Sequence, residues 1–371
     1  MLMSKSVFIL GLRGIPGVQG GIETHVEHLA PLLVKNSCNV TVLARSNYQP
    51  DVVNNQFKGV QIKKLWSPRS KGLESIIHTF IGVLYAAIKR PDILHIHAVG
   101  PALMVPLARL LGLKVVITHH GPDYDRQKWG WFAKNILKLG EFFGARFSNK
   151  VIVISKTIQN IVKTKHDVDS ILIPNGVAVQ EVVTTDSALR KYDLKKEQYV
   201  LIVSRLVPEK RHFDLIDAFE KAKLFGWKLV IVGSSDHPDE YSKAIMERAS
   251  ESEDIIATGF LSGVMLQEIF NHAGVFVLPS SHEGLPIALL EALSYGLPVI
   301  ASDIASNLEV DLNIGEFFPL GDISALENLL IKYTSREVSA LDRDSIKEGV
   351  RHKYNWDIIS KETIQVYESI F

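Results

Sequence analysis

Short apolar runs alternate with helix-period segments along the whole chain, and the rhythm breaks once, at Ile173-Pro174-Asn175-Gly176-Val177, before starting again. A strand-then-helix alternation closes most readily as a parallel sheet covered by helices, because parallel strands need a long crossover between them. In the first half Ser6–Leu10, Asn39–Ala44, Gln61–Leu65, Ile93–His97, Val115–His119 and Val151–Ile154 read as strands. Helical periodicity covers about Ile22–Lys35, Leu73–Lys89 and Trp129–Arg146. In the second half Tyr199–Val203, Lys228–Val232, Val275–Leu278 and Pro298–Ala301 read as strands, with helices over Phe213–Lys223 and Leu285–Tyr295. The expectation is an α/β chain of two Rossmann-like, doubly wound domains, residues 1–178 and 179–356. They face a cleft, because such sheets bind ligands at the carboxyl ends of their strands. A last helix, from about Asp357, can pack on either half.

A chain of 371 residues is long enough for two such domains. One cysteine, Cys38, excludes an internal disulfide and a cysteine-built zinc site. The longest apolar stretch, Val99–Thr118, contains Arg109, Lys114 and two prolines, so it reads as a helix followed by a strand and not as a membrane span. The first residues lack a secretory signal pattern. The expected location is the cytoplasm, with at most peripheral attachment to a membrane.

The net charge of zero conceals a split. Residues 1–178 carry 22 Lys and Arg against 10 Asp and Glu, and the remainder carries 19 against 31. Either the two halves attract one another, or the basic half faces an anionic partner such as a phospholipid surface. The segment Asp125–Lys150 sharpens the second reading. It mixes Trp129, Trp131, Phe132, Phe142 and Phe143 with Arg126, Lys128, Lys134, Lys138, Arg146 and Lys150, opposed only by Asp125 and Glu141. Such a composition suits a membrane interface, and equally a core-packing helix with a basic outer face.

Three segments carry candidate chemistry. After the first strand, Gly11 to Gly21 holds five glycines and opens a helix, a place where backbone N–H groups can approach an anion. The spacing is not that of a dinucleotide fingerprint. After Tyr199–Val203 come Arg205 and Lys210, a planar fork and a point charge suited to a diphosphate. Then Ser280-Ser281-His282-Glu283-Gly284-Leu285-Pro286 leads into a helix expected to begin at about Pro286, with free N–H groups around Leu285 and Ile287. Glu283 and Glu291 would stand about 12 Å apart if all eight steps between them were helical. Taken singly, each motif also reads as a solvated turn or a surface glutamate.

Taken together, the residues resemble the retaining glycosyltransferases of family four, which have the GT-B fold. The resemblance runs through Gly20-Gly21 with Glu23, Ile117-Thr118-His119-His120-Gly121, Ile173–Val177, Ser204-Arg205-Leu206 with Lys210, Gly259-Phe260-Leu261, and the Glu283/Glu291 pair. The opening Gly11-Leu12-Arg13-Gly14, with Trp129, looks like a subgroup that includes bacterial rhamnosyltransferases of surface polysaccharide synthesis. One departure is Arg211, where the family usually has glycine.

The resemblance implies a role for each position. Arg205 and Lys210 hold the donor diphosphate, Glu291 the ribose and Glu283 the hydroxyls of the transferred sugar, beside Gly284, Leu285 and Pro286. Gly20 and Gly21 approach the phosphate or sugar, His120 lies beside the reacting sugar, and Gly259, Phe260 and Leu261 line the base. It further implies a nucleotide-diphosphate sugar as donor, a glycan or lipid-linked acceptor, no cofactor, no metal and no nucleic-acid partner. His95 and His97 on one strand, with His119 and His120 on another, read as sugar contacts or packing and not as a metal site. The triplets Asp123–Asp125, Asp167–Asp169 and Asp342–Asp344 read as chance and not as a metal–diphosphate motif. A sugar-nucleotide epimerase of the same fold and a non-catalytic nucleotide-sugar-binding subunit are the competing functions.

Overall fold

The computed structural model describes residues 4–69, 73–125, 130–178, 183, 185–235 and 238–371. It forms two compact units, Met1–Gly176 with Trp356–Phe371, and Val177–Asn355.

The first unit begins β1 (Ser6–Leu10), α1 (Gly21–Lys35), β2 (Asn39–Arg45), β3 (Gln56–Phe57), β4 (Val60–Leu65) and α2 (Glu74–Lys89). It continues β5 (Ile93–His97), α3 (Val105–Leu110), β6 (Val115–His119), α4 (Trp131–Phe147), β7 (Lys150–Val153), α5 (Lys156–His166) and β8 (Ile171–Leu172). The sheet order is β3-β4-β2-β1-β5-β6-β7-β8, parallel except where β3 meets β4. β5 and β6 are buried at every position and β1 at all but Ser6, because both faces of a parallel sheet are covered. The chain order reverses between β1 and β5, which puts the glycine-rich loop after β1 and His97 at the switch point, where such folds bind ligands.

The second unit runs α6 (Ser187–Lys191), β9 (Tyr199–Val203), α7 (His212–Ala222), β10 (Lys228–Val232), α8 (Glu240–Ser250), β11 (Ile255–Gly259) and α9 (Gly263–Asn271). Then follow β12 (Val275–Leu278), α10 (Ile287–Ser294), β13 (Val299–Ser302), α11 (Ala305–Leu308), β14 (Gly315–Phe318), α12 (Ile323–Thr334) and α13 (Ala340–Arg351). Its parallel sheet has the order β11-β10-β9-β12-β13-β14, with the switch point between β9 and β12. The loops after those two strands carry Arg205, Lys210 and Glu283.

The last helix, α14 (Trp356–Glu368), belongs to the first unit. Trp356, Ile359, Val366 and Tyr367 join its hydrophobic core. Gly176 makes room for this: a Cβ there would meet the Trp356 ring at 2.4 Å. The Tyr367 hydroxyl reaches back to His95 Nδ1 at 2.7 Å.

Several elements lie outside the sequence expectation. β11 and β14 are edge strands, and α5, α8, α9, α12 and α13 also lie outside it. The helix expected at about Pro286 starts one residue later, with Pro286 extended at ψ 102° as its N-cap. Glu283 therefore lies in a loop, and only the last four steps of the Glu283–Glu291 spacing are helical.

Candidate functional site

In the second unit, β9 delivers Arg205 and, through a turn of 3₁₀ helix over Pro208–Lys210, the ammonium of Lys210. β12 delivers the loop containing Glu283. Because β9 and β12 are neighbours, Lys210 and Glu283 meet as an ion pair, their side chains 17% and 11% exposed. The two loops are also tied through backbone, with Ser281 N–H donating to Glu209 O at 2.8 Å.

Arg211, the departure from the family pattern, sits in the left-handed region at φ 50°, the conformation glycine would take. Its guanidinium is held by Asp214, Nε to Oδ2 at 2.6 Å. The loop shape is thus kept without the glycine. Behind it lies His212, which the sequence reading passed over as a helix start. This fully buried ring bonds Ser204 Oγ at 2.9 Å and Tyr241 OH at 3.2 Å, and burial holds its pKa down to about 3. A neutral imidazole braces the cationic loop without adding charge.

α10 begins beside Glu283. No side chain caps its N-terminus, so first-turn N–H groups are left for an anion. Leu285 and Pro286 are buried, Gly284 is half-buried, and Glu291 lies one turn into the helix. Burial pushes the Glu291 carboxyl up to about 7. Gly259 ends β11 at φ 74°, but its carbonyl already accepts from Gly233 N–H and Thr258 Oγ1, both at 2.9 Å. Of the expected base-lining residues, Phe260 is exposed and Leu261 buried.

In the first unit, the glycine-rich loop is pinned by a buried pair. Arg13 donates from Nε to Glu23 Oε1 at 3.1 Å and from its own backbone N–H to the same oxygen at 3.0 Å. Burial alone would raise the Glu23 pKa, but Arg13 holds it below the usual carboxylate value. Gly20 takes φ 149°, a backbone conformation that favours glycine, and a Cβ there would push aside the Glu23 carboxylate. Gly21 is the first residue of α1.

The histidines regroup. His95 is a core residue, bonded at Nε2 to Thr118 Oγ1 at 2.7 Å and at Nδ1 to Tyr367. His97 Nδ1 and His120 Nε2 are 2.9 Å apart. His25, on α1 and absent from the sequence reading, packs edge-on against His120 with centroids 5.0 Å apart and bonds Asn175 Oδ1 at 2.9 Å. Nitrogens of His25, His97 and His120 lie within 4.8 Å of one another, close enough for a metal ion to be considered. Burial lowers all three pKa values, that of His25 to about 4, so the rings are neutral.

His119 turns the other way. Its Nε2 donates to Glu141 Oε2 at 3.1 Å, and its Nδ1 accepts from Gly121 N–H at 3.1 Å. Glu141 also takes His166 Nε2 at 2.8 Å and Tyr124 OH at 2.7 Å. Burial opposes ionisation of this carboxyl, yet the donors bring its pKa down to about 2.

The aspartate triplets are structural. Asp123–Asp125 is a 3₁₀ turn, Asp167 and Asp169 pair with Lys163, and Asp342 closes a capping box with Ser339. On α4, Trp131 is 80% and Phe132 72% exposed. Arg126, Lys128 and Trp129 lie outside the described residues. No described helix is long and apolar enough to cross a membrane.

Residues 185–352 match the family described as glycosyl transferases group 1, and residues 19–181 match glycosyltransferase family 4. An uncharacterized glycosyltransferase of Methanocaldococcus jannaschii is 25% identical, over 95% of each chain. An Escherichia coli UDP-Gal:alpha-D-GlcNAc-diphosphoundecaprenol alpha-1,3-galactosyltransferase is 27% identical, over 73% of this chain and 74% of that one. Among solved structures, a sucrose-phosphate synthase from Thermosynechococcus elongatus superposes with a TM-score of 0.83 at 21% identity, covering 99% of each chain. Anabaena HepE in complex with UDP-glucose superposes at 0.81 and 16% identity, covering 98% of this chain and all of that one. These structures share the two-domain GT-B fold with this chain.

Proposed function

The chain belongs to the glycosyltransferase enzyme family, and we propose that it moves a sugar from a nucleotide-diphosphate sugar to a glycan acceptor with retention of anomeric configuration. The product belongs to glycan or surface-polysaccharide synthesis, as the names of relatives such as the amylovoran biosynthesis glycosyltransferase of Erwinia amylovora support. The observation that carries the reading is the meeting of Lys210 and Glu283 at the switch point of the second sheet, beside the uncapped N-terminus of α10.

In this reading Arg205, Lys210 and the first N–H groups of α10 hold the diphosphate. Glu283 takes hydroxyls of the transferred sugar, with Gly284, Leu285 and Pro286 shaping that loop. Glu291 takes the ribose hydroxyls, Phe260 and Leu261 lie along the base, and His120 contacts the transferred sugar. Gly20 and Gly21 contact the phosphate or sugar. The bond from the anomeric carbon to the phosphate oxygen breaks, and its electron pair stays on the departing diphosphate. The acceptor oxygen forms the new bond on the same face and passes its proton to that phosphate oxygen. Fixed cations and N–H dipoles stabilise the charge that develops there without reorganising. No enzyme nucleophile and no metal ion are assigned.

The acceptor is lipid-linked and the sugar a hexose or deoxyhexose, a reading supported by the galactosyltransferase relative, whose named acceptor is a diphosphoundecaprenol, and by the rhamnosyltransferase-like opening of the chain. Exposed Trp131 and Phe132, with Lys134 and Lys138 on the same helix, attach the protein reversibly to an anionic membrane surface.

The test is product analysis by proton NMR with the donor, an acceptor lipid and a chelator present. The reading expects a new glycoside with the donor's anomeric configuration. Conversion of nucleotide sugar to an epimer without acceptor, inversion, or activity restored only by added manganese contradicts it.

A further inference from the structure

His119 and His120 are adjacent in sequence, but their rings are held by different partners. Glu141 accepts from His119 Nε2, so the His119 proton sits on Nε2 and bare Nδ1 receives the Gly121 N–H. This bond fixes the turn that follows His120.

His120 shares one proton with His97 across the 2.9 Å contact between His97 Nδ1 and His120 Nε2. Two arrangements are open. If His120 donates, the His97 proton moves to Nε2. That nitrogen is buried and has no hydrogen-bond partner. If His97 donates from Nδ1, the same nitrogen is a bare lone pair. A buried N–H without an acceptor is rarer in proteins than an acceptor without a donor, and its desolvation cost is not recovered.

We infer that His97 is a positioning residue: its Nδ1–H donates to His120 Nε2 and holds His120 as the Nδ1–H tautomer. His120, the half-buried ring of the His25, His97 and His120 trio, then carries its N–H on Nδ1, the nitrogen not bonded to His97. That nitrogen donates to a substrate oxygen and does not accept a proton from one. His120 is thus excluded as a general base, consistent with a reaction in which the departing phosphate takes the acceptor proton.

The inference rests on the placement of His120 beside the transferred sugar, and two readouts separate the two claims. The first is a long-range ¹⁵N–¹H correlation spectrum of the unliganded full chain labelled at histidine, with His120 assigned by its loss in His120→Gln. The expected pattern is Nδ1–H at His120 and Nε2–H at His119. In His97→Leu the His120 pattern changes toward Nε2–H. In His97→Asn, whose side-chain amide places a donor near the position of Nδ1, it is kept. An Nε2–H pattern at His120 in the wild type, or one unchanged in His97→Leu, overturns the inference. The second readout is transfer kinetics. His97→Leu should lower kcat at least tenfold with donor KM little changed, and His97→Asn should recover most of it. Equal rates for both variants overturn the positioning role. If the tautomers are as stated and His120→Gln transfers at the wild-type rate, the placement of His120 at the sugar fails instead.

Discussion

Lys210 and Glu283, 73 residues apart in sequence, are joined as an ion pair by the adjacency of β9 and β12. In the proposed function, a donor phosphate takes the place of the Glu283 carboxylate on the Lys210 ammonium, and Glu283 is released toward the sugar hydroxyls.

This exchange separates two variants. Lys210→Ala should weaken nucleoside diphosphate binding and transfer at least tenfold, since a charge-assisted hydrogen bond contributes about 1.5–3 kcal/mol. Glu283→Gln should bind the nucleoside diphosphate at least as tightly as wild type, because Lys210 is freed, while transfer falls at least tenfold. Calorimetry with the diphosphate and initial rates with the complete donor check the two halves separately.

Donor affinity should depend on pH through Glu291. Its carboxyl, pushed up to about 7 by burial, is protonated below that pH in the free protein. Ribose hydroxyls donate best to the ionised form. Affinity for a nucleotide sugar, whose diphosphate is a diester without a titration near 7, should fall toward about tenfold per pH unit below 7 and level off above about 8. Glu291→Gln should bind weakly with a flat profile. Titrations at pH 6, 7 and 8 decide it.

Acid should unfold the first unit before the second. Burial holds His25 and His78 at about 4 and His95 at about 3, whereas their ordinary value is 6.5. The second unit has His212 at about 3. In the unfolded chain these rings take up protons near pH 6.5, and in the fold they do not. Stability is thus complete above about pH 7. It falls as pH drops toward the folded values, by about 1.4 kcal/mol per unit for each ring. Hydrogen exchange at pH 7 and pH 5 should show protection lost in β5 and β6 while β9 and β12 retain theirs.

The membrane reading rests on α4. Each Lys or Arg near an anionic surface contributes about 1 kcal/mol, screened by salt. Lys134→Glu with Lys138→Glu should abolish flotation with anionic vesicles at low salt, and neutral vesicles should bind the wild type poorly. Equal flotation of wild type and variant removes this helix as the contact.

The central strands and the cation loop were legible because parallel strands leave uninterrupted apolar runs and because Arg205 and Lys210 follow one directly. The edge strands β11 and β14 were not, because Thr258 and Gly259 in one and Gly315 and Glu316 in the other interrupt the apolar run. The histidine regrouping was only half legible. His97 ends β5, and its register partner on β6 is Thr118, two residues before His120, so strand adjacency alone brings the two together. His25 carried no such signal, because a histidine at helical spacing looks like any half-buried position. Glu141, read as one acid in a basic helix, is the acceptor of three donors, a role visible only once α4 packs beside Tyr124, His119 and His166.

The central claim is that the second unit holds a nucleotide-diphosphate sugar through Lys210 and its neighbours. Thermal unfolding measured across nucleoside diphosphates and nucleotide sugars, for wild type and Lys210→Ala in parallel, tests it most directly. Ligand at 100 times Kd stabilises the folded protein by about 2.7 kcal/mol, a shift of several degrees. The account predicts that nucleotides of at least one base raise the wild-type midpoint by that much, and that Lys210→Ala unfolds at a similar temperature without ligand but responds much less. No shift of the wild type by any of them at millimolar concentration, or equal shifts in both proteins, would contradict it.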